Sequence, residues 1–149
     1  MNLQEELMIA LKTAMKAKDQ RALMALRAIK SAIILAKTEI GATGEISKDQ
    51  ELQILQKLVK QRKDSAAIFE TQNRKDLAIP ELEEVKIISQ FLPEAMSEDE
   101  IENVVVTTIE SIGASGMKDM GKVMGIVSKK LAGKADGKTI STIVKAKLI

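Results

Sequence analysis

Residues 97–113 read SEDEIENVVVTTIESIG, and whether the fold contains a sheet turns on them. The inner run Val104, Val105, Val106, Thr107, Thr108 is β-branched throughout and has strand propensity. The two ends argue for a helix. Ser97 followed three residues later by Glu100 is a capping box, Glu98, Asp99 and Glu100 put negative charge where a helix N-terminus favours it, and Gly113 offers a left-handed stop. Between them Ile101, Val104, Val105, Thr108, Ile109 and Ile112 recur at helical spacing. The segment is expected to be a helix, and the protein all-α. The first-turn carboxylates have no paired base for acid–base chemistry, and the helix dipole accounts for them.

Composition points the same way. The 149 residues are 45% hydrophobic but only 1% aromatic, Phe69 and Phe91, so the core has to be built from Leu, Ile, Val, Ala and eight Met. That favours helices. A chain of this length buries about 68–70% of its unfolded surface, enough for one domain or two small ones. There is no Cys, which excludes disulfides, thiolate metal sites and cysteine nucleophiles. There is no His, which removes the commonest general base and transition-metal ligand. No cofactor, metal site or catalytic residue is assigned. The start MNLQEELMIALK carries Glu5 and Glu6 where a signal peptide needs positive charge, and no apolar run is long enough to span a bilayer. A cytoplasmic, soluble protein is expected, with neither membrane nor DNA as partner.

Upstream of residue 97 the periodicity predicts four helices. Asn2 caps the first, with Leu3, Leu7, Leu11 and Ala14 inward and Met8 and Met15 widening the stripe, to about Lys18. Asp19 caps the second, which buries Leu23, Leu26, Ile29 or Lys30, Ile33 and Ile34 and ends at Gly41 before a GATGE loop. Ser47 and Gln50 box the third, whose stripe Leu52, Leu55, Leu58, Val59, Ala66 and Phe69 runs to about Asn73. A break over residues 73–76 precedes the fourth, in which Pro80 is acceptable only in the first turn and Leu82, Val85, Ile88 and Phe91 face inward. Leu92-Pro93 ends it. The expected domains are residues 1–93, a four-helix-like bundle, and 97–149, a three-helix bundle, with the boundary at 92–96. In the second, a helix over 117–131 carries Met117, Met120, Met124 and Val127 and stops at Gly133. Asp136 then caps a last helix with Ile140, Ile143, Val144 and Leu148. The methionines read as core filling rather than as a peptide groove.

The charge is uneven. Residues 1–112 hold 15 Lys+Arg and 19 Asp+Glu, net −4, while residues 113–149 hold 8 and 2, net +6, which together give the +2 of the whole chain. Lys118, Lys122, Lys129, Lys130, Lys134 and Lys138 face only Asp119 and Asp136 in this basic segment, which makes it the candidate anion-binding face. Gly121 and Gly125 share one helix face, where each glycine costs about 1 kcal/mol relative to Ala. Either a neighbouring helix packs closely there or a ligand's phosphodiester backbone does. AGKADGKT at 132–139 is not a nucleotide-binding loop, since Ala132 stands where Gly is needed and a helix rather than a strand precedes it. It is either a cap, loop and cap or a site for one phosphate, through Gly133, Lys134, Gly137 and Lys138. Arg62, Asp64, Glu70, Arg74 and Asp76 read as an interhelical polar network holding the 73–76 bend, with Arg62 and Glu70 bracketing another helix.

The segments KQRKDS at 60–65, ETQNRKDLA at 70–78, EVKIISQFLPEAMSEDEI at 84–101 and GASGMKDMGKVMGIVSKKLAGKADGK at 113–138 together resemble the YqeY family. That sequence type also forms the tail of the B subunit of the glutamine-dependent aspartyl/glutamyl-tRNA amidotransferase. The resemblance covers essentially the whole chain. It implies an all-α protein in two parts and, by analogy with the tail, tRNA contact through Gly121, Lys122, Met124, Lys134, Asp136, Gly137 and Lys138. The amidotransferase's large catalytic domain is not among these residues. A carbon–nitrogen ligase label with glutamine as amido-N-donor would therefore be inherited from the family rather than carried by side chains here. Two functions are expected in competition. One is a tRNA-binding accessory protein, which would recognise RNA by shape and backbone because Trp and Tyr are lacking. The other is a protein–protein adaptor docking on an amidotransferase or a synthetase.

Overall fold

The computed structural model of the protein describes residues 2–40 and 45–149, so the expected stop at Gly41 and the loop that follows it lie outside the described residues. Seven α-helices and one 3-10 turn are found there, with no strand among the described residues. The fold is all-α. No helix is long and apolar enough to cross a membrane among the described residues. The chain separates into two compact units, Met1–Leu92 and Pro93–Ile149.

In the first unit, α1 (Leu3–Ala17) starts on a reciprocal box, with Asn2 Oδ1 accepting the Glu5 N–H and the Glu5 carboxylate accepting the Asn2 N–H. It ends on Lys18 in the left-handed region, φ 54°. Asp19 then accepts the Ala22 N–H and opens α2 (Gln20–Ile40) almost at once, so the two helices form a tight antiparallel hairpin. Ser47 and Gln50 box α3 (Lys48–Thr71). A left-handed Asn73, φ 60°, turns the chain into α4 (Lys75–Ser89). The four helices share one core of Leu3, Leu7, Ala14, Leu23, Ala25, Leu26, Ile29, Ile33, Leu55, Val59, Val85 and Ile88.

Several expected core positions are outside it. Met8, Met15, Ile34 and Leu82 are exposed. Met8, Met15 and Ile34 each lie one residue beyond a buried one, Leu7, Ala14 and Ile33, on the edge of the stripe, while Leu82, between buried Ala78 and Val85, is 38% exposed. Pro80 also departs from its expected place. It is the sixth residue of α4, not a first-turn residue. Proline there removes the bond its N–H would make to the Asp76 carbonyl, and α4 tolerates the loss because residues 75–77 and Ile79 are exposed.

In the second unit, Ser97 and Glu100 box α5 (Glu98–Ile112), and Gly113, φ 63°, stops it. The Val104–Thr108 stretch is helical. Thr107 and Thr108 donate their hydroxyls to the carbonyls of Asn103 and Val104, the local bond that lets threonine sit inside a helix. A 3-10 turn, Met117–Asp119, leads into α6 (Met120–Lys130). Its tighter winding takes Met117 out of register, and that side chain is exposed where the sequence placed it inward. Val123 and Val127 lead the buried face, with Met120 and Met124 partly buried at its edge. After α6 the chain turns through a left-handed Gly133, φ 79°, and Asp136 caps α7 (Gly137–Leu148). Ile101, Val105, Val123, Val127, Leu131, Ile140, Val144 and Leu148 form this unit's own core.

Ile88 has no exposure, so Ile88→Ala is expected to cost the first unit about 2–5 kcal/mol in urea unfolding. Ile79→Ala, at a position of the same helix that is 54% exposed, should stay within about 0.5 kcal/mol. Equal costs at the two positions would contradict the packing described.

Candidate nucleic-acid interface

Gly125 lies two residues from both Val123 and Val127, and Gly121 lies two residues before Val123, so both glycines of α6 point away from the core. A Cβ added at Gly121 or at Gly125 would meet nothing within 4 Å. Among the described residues no neighbouring helix closes on them, so close helix packing there does not explain either one. Lys122, Gly125 and Lys129 are spaced three and four residues apart and share one outward row, with Gly121 one turn before Gly125 beside it. Lys122 and Lys129 are exposed, as is Lys118 in the preceding 3-10 turn.

The remaining basic residues have different surroundings. Lys130 Nζ lies 3.4 Å from Thr108 Oγ1 and donates to it, so this side chain lies back along α5. Lys134 is exposed, and its backbone is pinned: its N–H donates to Leu131 and its carbonyl accepts from Met96. Lys138 lines a shallow cleft with Glu98, Thr139, Thr142 and Ile143. Asp136 Oδ1 takes the Thr139 N–H at 2.6 Å. One first-turn donor of α7 is therefore occupied, and the carboxylates of Asp136 and Glu98 both oppose an incoming phosphate. The Asp136 N-cap expected within residues 132–139 is present. Gly137 is the first residue of α7. Met124 packs against the core rather than standing free. Lys147, not singled out from the sequence, pairs with Glu102 at 2.6 Å.

The polar residues of the first unit resolve into separate pairs. Arg74 grips Asp76 through two hydrogen bonds of 3.0 and 2.9 Å at the bend. This hydrogen bonding holds the Asp76 carboxyl below its ordinary range and raises the Arg74 guanidinium. Asp64 pairs with Lys60 one turn away, at 2.8 Å, and raises the pKa of that lysine. Glu70 is exposed and has no ion pair among the described residues. Arg62 turns instead to Glu84 of α4, Nε to Oε1 3.8 Å, with both side chains largely buried. Its Nη1 donates to the Leu58 carbonyl at 3.2 Å, while the buried Nε has no hydrogen-bond partner among the described residues. Sequence reasoning missed Glu84. The available signal was its place four residues before Ile88, on the buried arc of α4.

Two measurements follow from this geometry. Gly125→Ala should stabilise the second unit by about 0.5–1 kcal/mol, since the added methyl meets no atom and the helix gains propensity; a loss of stability would reveal a contact there. Glu84→Ala leaves a buried guanidinium unpaired and is expected to cost about 3 kcal/mol in denaturant unfolding. Arg62→Met combined with Glu84→Leu, which removes both charges, should come within about 1 kcal/mol of the parent.

A stretch of 79 residues is 40% identical to the E subunit of glutamyl-tRNA(Gln) amidotransferase from Thermococcus gammatolerans, covering 50% of this chain but only 13% of that protein. Two fungal proteins named altered inheritance of mitochondria protein 41, mitochondrial, match over 128 residues and 84% of this chain. The one from Pyrenophora tritici-repentis is 30% identical with 68% of its length covered, and the one from Clavispora lusitaniae 34% identical with 71% covered. The family model described as Yqey-like protein matches residues 4–148, and the chain belongs to that family.

Proposed function

We propose that this protein is a tRNA-binding accessory protein whose contact line is the outward face of α6. The observation that carries the reading is the row Lys122, Gly125, Lys129, with Gly121 beside it. Exposed cations there flank helix positions kept bare of side chains where nothing in the fold requires it. A phosphodiester backbone fits such a face. The lysines meet phosphates, and the glycines let the strand approach the helix backbone. No aromatic residue lies in the second unit, because Phe69 and Phe91 are both in the first, so base stacking is not part of the contact. Recognition then rests on RNA shape and backbone.

Similarity to part of an enzyme named for its action on glutamyl-tRNA(Gln) supports tRNA as the RNA. The matched stretch is a small fraction of that protein, and no nucleophile of the cysteine type is present, so the role proposed is binding rather than amide transfer. Lys138, Lys130 and Lys147 are minor contributors in this reading because each is directed to a partner within its own unit or shares a cleft with Glu98.

Fluorescence anisotropy of labelled bulk tRNA across a salt series tests the proposal. The logarithm of affinity should fall against log salt by about 0.7–0.9 per phosphate contacted. Lys122→Glu with Lys129→Glu should weaken binding by roughly tenfold or more, Lys138→Glu by much less, and Gly125→Ala should weaken binding while stabilising the fold. Unchanged affinity in the double lysine variant would remove α6 as the contact line.

A further inference from the structure

The first unit carries a second basic surface, of a different character. Residues 8–35 hold six Lys and Arg against one Asp, net +5, although they lie in the part of the chain whose total is negative. The one aspartate, Asp19, is engaged in capping α2, and Arg21 pairs with Glu83 of α4 at 3.4 Å, so the cations that carry the surface are Lys12, Lys16, Lys18, Arg27 and Lys30. Along the same residues six large apolar side chains stand 52–61% exposed: Met8, Ile9 and Met15 on α1, and Met24, Ile34 and Leu35 on α2. Charge and apolar surface are interleaved. Lys12 falls between Met8 and Met15 at helical spacing, and Arg27 between Met24 and Ile34, with Lys30 one turn before Ile34. The other faces of both helices are spent on the shared core.

We propose that the outward surface of the α1–α2 hairpin docks a protein partner through an acidic helix with an aliphatic face. Charge complementarity selects the sign of the partner, and the exposed methionines, flexible and unbranched, give an adaptable apolar seat. A second copy of this chain would bring two basic faces together and is disfavoured. RNA would neutralise the cations but leave the six apolar side chains in water. A bilayer-surface helix segregates its apolar and cationic residues to opposite sides, whereas here they alternate along one surface, and no Trp or Tyr is present to sit at the headgroups. The proposal does not depend on the tRNA reading, which concerns the second unit.

The test uses the full chain and three synthetic helical peptides of equal length. The first carries glutamates with its leucines on one face, the second has the same composition with the leucines scattered, and the third resembles the first with lysine in place of glutamate. Amide chemical-shift mapping and anisotropy titration are the readouts. The first peptide should shift α1 and α2 resonances and bind at least about tenfold tighter than the other two. Arg27→Glu with Lys30→Glu, and separately Met24→Ser with Leu35→Ser, should each weaken it by roughly tenfold with the unfolding midpoint preserved. Equal binding of all three peptides, or shifts confined to other helices, would overturn the proposal. So would α1–α2 shifts caused by anionic phosphatidylserine vesicles or by tRNA while the peptides cause none, and those results would assign the surface to lipid or to RNA.

Discussion

Both cores are closed by side chains that have shape but no direction. The largest fully buried side chains among the described residues are Ile29, Leu55 and Ile88 in the first unit and Val105, Val123, Val127, Ile140 and Val144 in the second, with Thr108 the one polar member of that set. Aliphatic burial supplies the driving force, yet it specifies neither where a helix begins nor how two helices register. Those decisions fall to a small set of polar contacts. Boxes at Asn2, Ser47 and Ser97 and the Asp136 cap set where four helices start. Arg21 with Glu83 and Arg62 with Glu84 tie consecutive residues of α4 to two different helices, α2 and α3. Rotating α4 would break both pairs, which is how a buried ion pair of little net stability still selects one arrangement.

This division of labour explains what could be read from the sequence. Caps are local, written in two residues three apart, and each of those named above is present. They outweighed the β-branched run in α5, whose strand preference is a weak, context-dependent one, and Val105 and Thr108 are spent on the helix's buried face. Burial is not local. Met8, Met15, Ile34 and Leu82 are apolar and well placed for a wide stripe, but stripe width depends on how many neighbours a helix has. The placement of Met117 failed for a different reason, the 3-10 winding ahead of α6. Pro80 shows that a proline past the first turn need not end a helix when the carbonyl it leaves unpaired, that of Asp76, belongs to an exposed residue.

The candidate site was legible as a region but not as a surface. A sum of charges identified residues 113–149 correctly as basic, yet it weighted all lysines alike. Only the fold shows that Lys130 reaches Thr108, that Lys147 meets Glu102 and that Lys138 shares a cleft with Glu98, while Lys118, Lys122 and Lys129 stand exposed. The glycines were recognisable as costly from their helical setting. What the sequence could not say is that the space beside them is open. A glycine that no helix packs against has lost its structural explanation, so the cost it imposes on α6 points outward.

Summing charge over long segments also concealed the basic run of residues 8–35, because acidic residues elsewhere in the first 112 positions cancel it. Screening in solution acts over about 8 Å, so distant carboxylates do not neutralise a surface in the way they neutralise a total. The two basic surfaces differ in what surrounds the charge. On α6 the lysines flank bare backbone, which suits a strand of phosphates. On α1 and α2 the cations alternate with Met, Ile and Leu, which gain only when water is displaced by other apolar atoms. A partner bound through the first should therefore be lost steeply with salt. One bound through the second should retain a salt-insensitive part, set by the apolar area it covers. Salt dependence can thus separate the two contacts within one molecule.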